Sequence, residues 1–354
     1  MDTIPKRIEL FFRRKIQKFF ADNRSTIVLN EPKKTFELSK PLKVLFLRQD
    51  HLGDVVVSIP LLRELHKVYP NYELQIVLGK SNIGLAPFLH SYTTKEWKYS
   101  KKFLETISLI FSLRKERFDV VIDIHDKASL TSTILIWIIN SKYAIGLAAG
   151  ASKVFSHRVE QKTESISHVV NLYLLPLLAF NIDTEKVNSA LEFPRAEGVV
   201  KNNNQVLVNL NGSQRSRYWG TKNFIELIKA ITTLYPDLVV KVSCTKDYDI
   251  ELQEILANTT AIHTGYYSSF LSFSSEIEKS MVVITPDTVI PHICCAWEIP
   301  CVVMYLRKDS FEQWHPRNIP YKRILSQNED ISTISVESVL TSFQNLLSQE
   351  KLTQ

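Results

Sequence analysis

Residues 43–69 of the chain read KVLFLRQDHLGDVVVSIPLLRELHKVY and contain the pattern that decides the fold. The run KVLFLR at residues 43–48 is short and mostly apolar, which predicts a buried strand. A polar loop follows at residues 49–54, and a helical segment then continues to Tyr69, where Pro70 stops it. A buried strand, a polar loop and a helix in this order are typical of parallel α/β sheets.

The same alternation runs along most of the chain and restarts after a polar segment. The predicted strands lie at residues 43–48, 73–78, 118–124, 143–147, 206–210, 238–243, 281–285 and 301–305. The predicted helices lie at residues 128–140, 169–178, 221–235, 250–256, 270–279, 291–297 and 335–347. The Asn-rich stretch RAEGVVKNNNQ at residues 195–205 predicts the linker between two halves. We therefore expect an α/β protein of two Rossmann-like domains facing across a cleft, with ligands beyond the carboxyl ends of the strands.

The expected organisation has four parts. Residues 1–40 form a basic amphipathic helix and a loose polar stretch, residues 41–195 and 205–335 form the two domains, and residues 336–354 form a C-terminal helix. A length of 354 residues with 45% hydrophobic and 23% charged residues suits two packed cores. No stretch approaches the ~20 apolar residues that cross a bilayer, and no secretory signal is present, so a cytoplasmic location is expected.

The four cysteines give no pattern for a metal or disulfide framework. Cys244, Cys294, Cys295 and Cys301 include no C-x-x-C pair and have no clustered histidines. Buried free thiols are the favoured interpretation. We expect no metal cofactor.

The net charge of +6 is concentrated in two basic clusters. From Lys6 to Phe20, the apolar residues Ile8, Phe12, Ile16 and Phe19 share one helical face among several cations. This predicts a helix lying on an anionic membrane, or alternatively a helix packed on the protein's own surface. The second cluster contains Lys95, Lys98, Lys101 and Lys102. Because no nucleic-acid-binding motif accompanies the clusters, an anionic lipid or phosphorylated glycan is the expected partner.

The loop after the first predicted strand carries a carboxylate but few glycines. Gly53 is its only glycine, which disfavours a dinucleotide pyrophosphate because such a site needs close backbone approach. Asp54 stands just before the helix. Its position suits either a helix cap or a catalytic base, and the residues alone leave both open.

Two further loops suit an anionic ligand in the second half. Residues 209–219, NLNGSQRSRYW, combine a glycine, small polar donors and the cations Arg215 and Arg217, or else form a solvated basic turn. Residues 285–292, TPDTVIPH, lead into a helix whose first-turn N–H groups form a site for a diphosphate. In this loop Asp287 is equally compatible with a cap, and His292 with a core histidine.

Together these loops resemble glycosyltransferase family 9, the ADP-heptose:lipopolysaccharide heptosyltransferases. The resemblance rests on R-x-D-x-x-G-D-V-x-x-S-x-P-L-L-R-x-L, F-D-V-V-I-D, V-N-x-x-G-S with R-x-W, and P-D-T-x-x-x-H-x-x-x-A-W-x-I-P. It covers residues 42–316. It implies a GT-B fold, with the acceptor bound mainly by the N-terminal domain and the donor mainly by the C-terminal domain.

The resemblance also implies roles for individual residues. Asp54 matches the general base, and Arg217 stands where many members have a lysine that contacts the donor diphosphate. The expected donor-binding residues are Asn211, Gly212, Ser213, Arg217, Asp287, Thr288 and His292. The expected acceptor-binding residues are His51, Gly53, Lys98, Lys101 and Lys102. Two departures from the family pattern are Val289, in place of a glycine, and the region 246–249, where an acidic ribose-binding position is not securely placed.

The resemblance implies an inverting, metal-independent transfer of heptose from ADP-heptose to a lipopolysaccharide or lipooligosaccharide core. The enzyme is expected at the inner face of the inner membrane, held there peripherally. Three alternatives stay open: another donor such as a UDP-hexose, a silent glycan-binding member, and a nicotinamide-dependent oxidoreductase. The last of these fits the fold but lacks the glycine fingerprint.

Overall fold

The computed structural model describes residues 26–125, 129–147, 154–160, 168–195, 198–212 and 214–353. The predicted helix from Lys6 to Phe20 lies outside these ranges, and so does Ser213. The chain divides into two compact units, the first ending at Ser189 and the second beginning at Ala190.

The first unit is built on one parallel sheet. Its described strands are β1 (Ile27–Leu29), β2 (Lys43–Arg48), β3 (Glu73–Leu78), β4 (Lys95–Lys98), β5 (Val120–Asp123), β6 (Tyr143–Gly146) and β7 (His157–Val159). Its described helices are α1 (Leu52–Val68), α2 (Ala86–Leu89), α3 (Phe103–Lys115), α4 (Leu130–Ile139) and α5 (Val169–Leu174). The strand order is β1-β7-β6-β5-β2-β3-β4, with every neighbouring pair parallel.

The second unit repeats this architecture. Its described strands are β8 (Gln205–Asn209), β9 (Val239–Ser243), β10 (Ile262–His263), β11 (Val282–Pro286), β12 (Cys301–Tyr305) and β13 (Tyr321–Leu325). Its described helices are α6 (Thr221–Leu234), α7 (Asp249–Asn258), α8 (Phe270–Glu278), α9 (Ile290–Trp297), α10 (Lys308–Gln313) and α11 (Val336–Thr353). The order is β10-β9-β8-β11-β12-β13, again parallel throughout.

Each sheet reverses its strand order at one point. In the first unit the reversal falls between β2 and β5, and in the second it falls between β8 and β11. The loops that leave the carboxyl ends of two such strands run to opposite faces, so they open a crevice in which ligands bind. The residues that follow these four strands are therefore the candidates for ligand binding.

Burial explains why the strands form. Nearly every residue of β2, β5, β8 and β11 is buried, as expected for a parallel sheet covered by helices. Alternate residues face opposite sides, so Leu45 and Leu47 of β2 pack with Leu109 and Leu113 of α3. In the second unit Val339 and Phe343 of α11 pack into the core beneath β8 and β11.

The prediction of two Rossmann-like α/β domains is confirmed, but several details differ. Residues 21–41 were expected to be a loose stretch, yet residues 27–29 form β1, which pairs with β7 at the sheet edge. The predicted helix at 169–178 is a short α-helix continued by a 3-10 turn at Leu175–Ala179, which contains Pro176. All four cysteines are free thiols, although only Cys294 and Cys301 are buried.

Among the described residues, no helix is both long and apolar enough to cross a membrane.

Candidate functional site

A buried arginine organises the loop after β2. Arg48, the last residue of β2, has no solvent exposure. Its Nη1 donates to Asp50 Oδ2 at 3.1 Å and to the Ile124 carbonyl at 3.0 Å. Its Nε donates to the Asp54 carbonyl at 3.1 Å, and its Nη2 lies 3.4 Å from Asp54 Oδ1. The guanidinium also lies 4.2 Å from the centre of the Tyr173 ring. These contacts join the ends of β2 and β5 to the start of α1 and fix the arginine in one position.

Asp54 lies inside the first turn of α1, where His51 is the N-cap residue. The Asp54 Oδ2 accepts the His51 backbone N–H at 3.3 Å, which completes a capping box. The Asp54 Oδ1 accepts the Tyr173 hydroxyl at 3.2 Å and faces Arg48. The helix begins at Leu52, before the end of the predicted loop, so Asp54 is not the N-cap residue and caps the helix from its third position through Oδ2. Its role as base stays a prediction. The neighbouring Gly53 belongs to the same turn.

The environment of Asp54 suits proton abstraction. Burial raises the pKa of the Asp54 carboxyl above its usual value, and the charge of Asp50 raises it further. Arg48, His51 and the Tyr173 hydroxyl act in the opposite direction and favour the ionised form. About an eighth of the side chain, 13%, stays exposed to solvent. A carboxylate with a raised pKa is a stronger base, and partial exposure lets an incoming hydroxyl reach it.

A second polar group follows β5 on the other side of the strand-order reversal. The His125 Nε2 lies 3.4 Å from Asp50 Oδ2, and its Nδ1 contacts Asp123 Oδ1. Burial lowers the pKa of His125, but the hydrogen bond and charge of Asp123 and the charge of Asp50 outweigh burial and raise it. Asp50 thus joins His125 to Arg48, and through Arg48 to Asp54.

The side chain of Asn82 holds the loop after β2 in place through hydrogen bonds. The Asn82 Nδ2 donates to the Arg48 carbonyl at 2.9 Å and lies 3.3 Å from the Asp50 carbonyl, while its Oδ1 accepts the Gly79 N–H at 2.8 Å. A Cβ at Gly79 would lie 2.3 Å from the Gln49 carbonyl oxygen. Only glycine permits this approach, so residue 79 must be glycine for the loop to take its position.

Sequence reasoning missed His125, Asn82 and Tyr173. His125 had a usable signal, because it follows the F-D-V-V-I-D strand at a carboxyl end that neighbours β2. Tyr173 lies 119 residues after Asp54, and no local spacing connects the two.

The predicted acceptor lysines lie at the far edge of the same sheet. Lys98 ends β4, and Lys101 and Lys102 precede α3, all three with exposed side chains. Lys102 pairs with Glu105 at 2.9 Å. Since β3 separates β4 from β2, the lysines share the carboxyl edge with Asp54 at two strands' distance. Acceptor binding by them, and by His51 and Gly53, stays a prediction.

In the second unit, Arg217 and Asp287 meet across the strand-order reversal. Arg217 ends a 3-10 turn that follows β8, and Asp287 directly follows β11. The Arg217 Nη1 donates to the Asp287 carbonyl at 2.6 Å and lies 3.1 Å from its Oδ2. A Cβ at Gly212 would lie 2.5 Å from the Arg217 Cβ, so the glycine makes room for the arginine stem. Burial raises the pKa of Asp287, whereas the Arg217 charge lowers it.

Asn211 and Thr288 accept backbone hydrogen bonds in the neighbouring loops. The Asn211 Oδ1 accepts the Thr245 N–H at 3.1 Å, and the Thr288 Oγ1 accepts the Ile290 N–H at 3.1 Å at the start of α9. His292 is buried in α9, its ring 5.7 Å from that of Trp314. Donor binding by these residues stays a prediction.

Arg215 has a different environment from Arg217. Its guanidinium lies 4.1 Å from the centre of the Tyr248 ring and pairs with Glu251. Its Nη1 also donates to the Asp247 carbonyl at 3.2 Å. The two arginines of the R-S-R turn thus contact different neighbours. In these hydrogen bonds and ion pairs, Arg217 contacts Asp287 and Arg215 does not.

The structure contains two Rossmann-like units, with a mostly buried acidic group in the first and an arginine–aspartate pair in the second. These features agree with the family that the motifs resemble. The family model described as "Glycosyltransferase family 9 (heptosyltransferase)" matches residues 106–341. The chain belongs to this family. It is therefore a glycosyltransferase, and the family identification made from the motifs is confirmed.

Other comparisons agree with this family 9 assignment. The glycosyltransferase is 21% identical over 290 residues to lipopolysaccharide heptosyltransferase 3 of Escherichia coli, an alignment that covers 75% of this chain and 83% of the relative. Its fold is similar to a family 9 glycosyltransferase from Veillonella parvula, with a TM-score of 0.73, 16% identity and coverage of 90% and 100% of the two chains. It is also similar to the E. coli ADP-heptose lipopolysaccharide heptosyltransferase II, with a TM-score of 0.68, 17% identity and coverage of 88% and 100%. The GT-B-like fold is thus confirmed.

Proposed function

We propose that this glycosyltransferase moves a heptose from ADP-heptose to a hydroxyl group of a lipopolysaccharide or lipooligosaccharide core, with inversion and without a metal. The observation that carries the proposal is the Asp54 carboxylate, partly exposed, with a raised pKa, at the strand-order reversal of the first unit. The names of the E. coli relatives support the sugar, the nucleotide and the acceptor class.

The proposed reaction is a single displacement at the anomeric carbon. The acceptor oxygen forms a bond to this carbon while the bond from the carbon to the donor phosphate oxygen breaks, and ADP leaves. Asp54 takes the proton of the acceptor hydroxyl as the new bond forms, so the proton ends on the carboxylate. One displacement from the opposite face inverts the anomeric configuration. Orientation of the two substrates supplies much of the remaining rate enhancement.

Arg217 is the proposed partner of the departing diphosphate. Both of its bonds to Asp287 use Nη1, and a guanidinium carries five N–H donors in a fork that suits phosphate oxygens. Asp287 then braces the arginine rather than contacting phosphate, which removes the difficulty of a carboxylate near an anion. Fixed donors at a developing charge each contribute ~3 kcal/mol to transition-state stabilisation, and this role needs no metal. Asn211, Gly212, Ser213, Thr288 and His292 are proposed to complete the donor site.

The acceptor is proposed to be lipid-linked, so the enzyme works at the cytoplasmic face of the inner membrane. The segment from Lys6 to Phe20 is proposed to contact anionic lipid there, on the strength of its apolar face and cations. Lys98, Lys101 and Lys102 are exposed beside the acceptor unit's catalytic edge, where they face anionic groups of the incoming substrate or lipid.

The proposal is tested by turnover with defined donors. The full chain is incubated with a core acceptor and either ADP-heptose or a UDP-hexose, and the product is identified by mass spectrometry and its anomeric configuration by NMR. We expect a product of inverted configuration with ADP-heptose only. A product formed with the UDP-hexose only would show that ADP-heptose is not the donor. A retained anomeric configuration would refute the single displacement. Glycan binding without turnover from any donor would favour a silent family member.

A further inference from the structure

Helix α3 exposes apolar side chains to solvent at its start. Phe103 and Leu104, its first two residues, are 76% and 78% exposed, and Phe111 is 63% exposed. Leu104 and Phe111 are seven residues apart, which places them two turns apart on the same side of the helix. Apolar residues scattered singly on a surface are normal, whereas larger contiguous exposed apolar patches mark sites of interaction.

This outward face is additional to the face that α3 uses for folding. The helix buries Leu109 and Leu113 against β2 and β5 residues of the first core. Phe103 and Leu104 lie outside that core. Because core packing accounts for the other side of the helix, folding of the unit does not explain the apolar start of α3.

Cations precede this apolar start in the chain. Lys98, Lys101 and Lys102 are exposed and come directly before it, and Glu105 follows. The pair between Lys102 and Glu105 offsets one positive charge, which leaves a net charge of +2 over residues 98–105. A positive surface around two protruding apolar side chains is complementary to anionic lipid headgroups above a hydrocarbon layer.

The composition favours a membrane over another protein as the partner. Protein interfaces are depleted of lysine, whereas lysine is common where a protein meets anionic lipid, because its long stem lets the ammonium stay in the headgroup layer. The exposed apolar surface at the start of α3 consists of two adjacent side chains, Phe103 and Leu104, with lysines beside them. A small protruding apolar group of this kind is suited to insertion into the interface of a fluid bilayer.

The position in the fold links this tip to catalysis. The lysines and the start of α3 follow β4, and Asp54 follows β2, with β3 between them in a parallel sheet. Both therefore lie at the carboxyl edge, with β4 about 10 Å from β2 across the sheet. A bilayer in contact with the start of α3 would bring a lipid-linked sugar to the edge that carries Asp54.

We propose that Phe103 and Leu104, with Lys98 and Lys101 beside them, form a membrane-docking tip that binds the anionic bilayer and turns the carboxyl edge of the first unit toward it. This inference rests on the proposed function only in that the acceptor is lipid-linked. Docking itself needs neither donor nor acceptor.

The test is co-sedimentation of the full chain with phosphatidylcholine vesicles, with and without phosphatidylglycerol, in the absence of substrates. Replacing Phe103 and Leu104 together by Ser should lower partitioning onto the anionic vesicles at least tenfold. Replacing Lys98 and Lys101 together by Gln should lower it by about fivefold for each lysine, and high salt should lower it in the parent protein. The segment from Lys6 to Phe20 is unchanged in every variant, so its contribution cancels.

Matched controls come from the second unit. Val200 and Ile250 are 78% and 84% exposed, so their double replacement by Ser removes similar apolar surface elsewhere. Lys222 and Lys229, both exposed, are the corresponding lysine control. Neither control pair should change vesicle binding. Equal binding by the parent and the Phe103/Leu104 double variant would overturn the proposal, as would binding that is indifferent to phosphatidylglycerol.

Turnover on a soluble, lipid-free acceptor fragment separates docking from catalysis. The Phe103/Leu104 double variant should keep this turnover and its thermal unfolding temperature while losing vesicle binding. If the variant lost turnover but kept vesicle binding, the tip would be an acceptor-binding surface. If it lost self-association in sedimentation velocity but kept vesicle binding, the tip would be an interface between copies of the chain. Either result overturns the proposal. Absence of heptose transfer by the parent protein, with the vesicle results as expected, would refute the proposed heptose transfer and leave the docking proposal standing.

Discussion

Removal of one hydroxyl, in the Tyr173→Phe variant, is expected to shift the pH at which the enzyme becomes active. The Tyr173 hydroxyl donates to Asp54 Oδ1 at 3.2 Å and favours the ionised carboxylate. The phenylalanine ring keeps the aromatic face on which Arg48 stacks at 4.2 Å. The substitution therefore removes the hydrogen bond to Asp54 and keeps the aromatic ring beside Arg48.

The size of the shift follows from the geometry of this bond. Hydrogen bonds to charged groups contribute about 1.5–3 kcal/mol, but 3.2 Å is long for an O–H donor, so about 1 kcal/mol is expected here. One kcal/mol corresponds to ~0.7 of a pKa unit. Because the bond favours the ionised form, its loss raises the pKa of Asp54. A protonated Asp54 cannot accept the hydroxyl proton. As the pH is lowered, the variant therefore loses activity at a higher pH than the parent does.

The measurement is kcat/KM for ADP release across the acid limb of the pH profile, which reports groups of the free enzyme. We expect the midpoint to rise by ~0.7 pH unit in Tyr173→Phe, with the plateau at higher pH nearly unchanged. The control is Tyr69→Phe, which removes a hydroxyl bonded to the Phe180 carbonyl in the same unit and should leave the midpoint unmoved. A midpoint that stays in place in Tyr173→Phe, or falls, would refute the assignment of Asp54 as the titrating base.

Three further outcomes are expected. Asp54→Asn should lower turnover by ~10²- to 10⁴-fold with nucleotide affinity nearly intact in calorimetry; turnover within about tenfold of the parent would rule Asp54 out as base. Arg217→Ala should weaken ADP binding and Arg217→Lys should restore part of it, since both cations meet a diphosphate but only arginine does so with two parallel bonds; unchanged affinity in the alanine variant would exclude the contact. Activity should survive EDTA, and a loss that Mg²⁺ or Mn²⁺ restores would overturn the metal-independent mechanism.

Local patterns were sufficient to predict most of the sheet. Strands such as β2 and β12 are continuous buried runs with a polar loop after them, and this signal depends only on neighbouring residues. β1 was missed because three residues carry no periodicity, and it is stabilised by pairing with β7, more than a hundred residues later. β4 was interpreted only as part of a basic cluster, since its exposed lysines at both ends hide an edge strand.

The site shows the same division between local and distant information. Asp54, Arg217 and Asp287 stand between a strand and the first turn of the next helix, so the alternation of strands and helices found them. Their partners depend on the fold: Tyr173 reaches Asp54 from α5, and the Arg217–Asp287 pair joins loops that are 70 residues apart. A carboxylate near a diphosphate is unfavourable by itself, and only the structure shows that Arg217 is the cation that pairs with Asp287.

The two units contain comparable arginine–aspartate pairs that differ in how firmly the arginine is held. Arg48 is fully buried and bonds to Asp50, Asp54 and a carbonyl of the neighbouring strand end. Arg217 keeps 18% of its side chain exposed, and both of its bonds go to Asp287. Moving a buried, fully bonded guanidinium leaves uncompensated charges behind, which is strongly unfavourable. Arg48 is therefore suited to hold Asp54 in a fixed electrostatic environment, whereas the more exposed Arg217 is suited to exchange a bond with an anion. The difference in exposure therefore supports the proposal that Arg217 binds the donor diphosphate, while Arg48 stays in place beside Asp54.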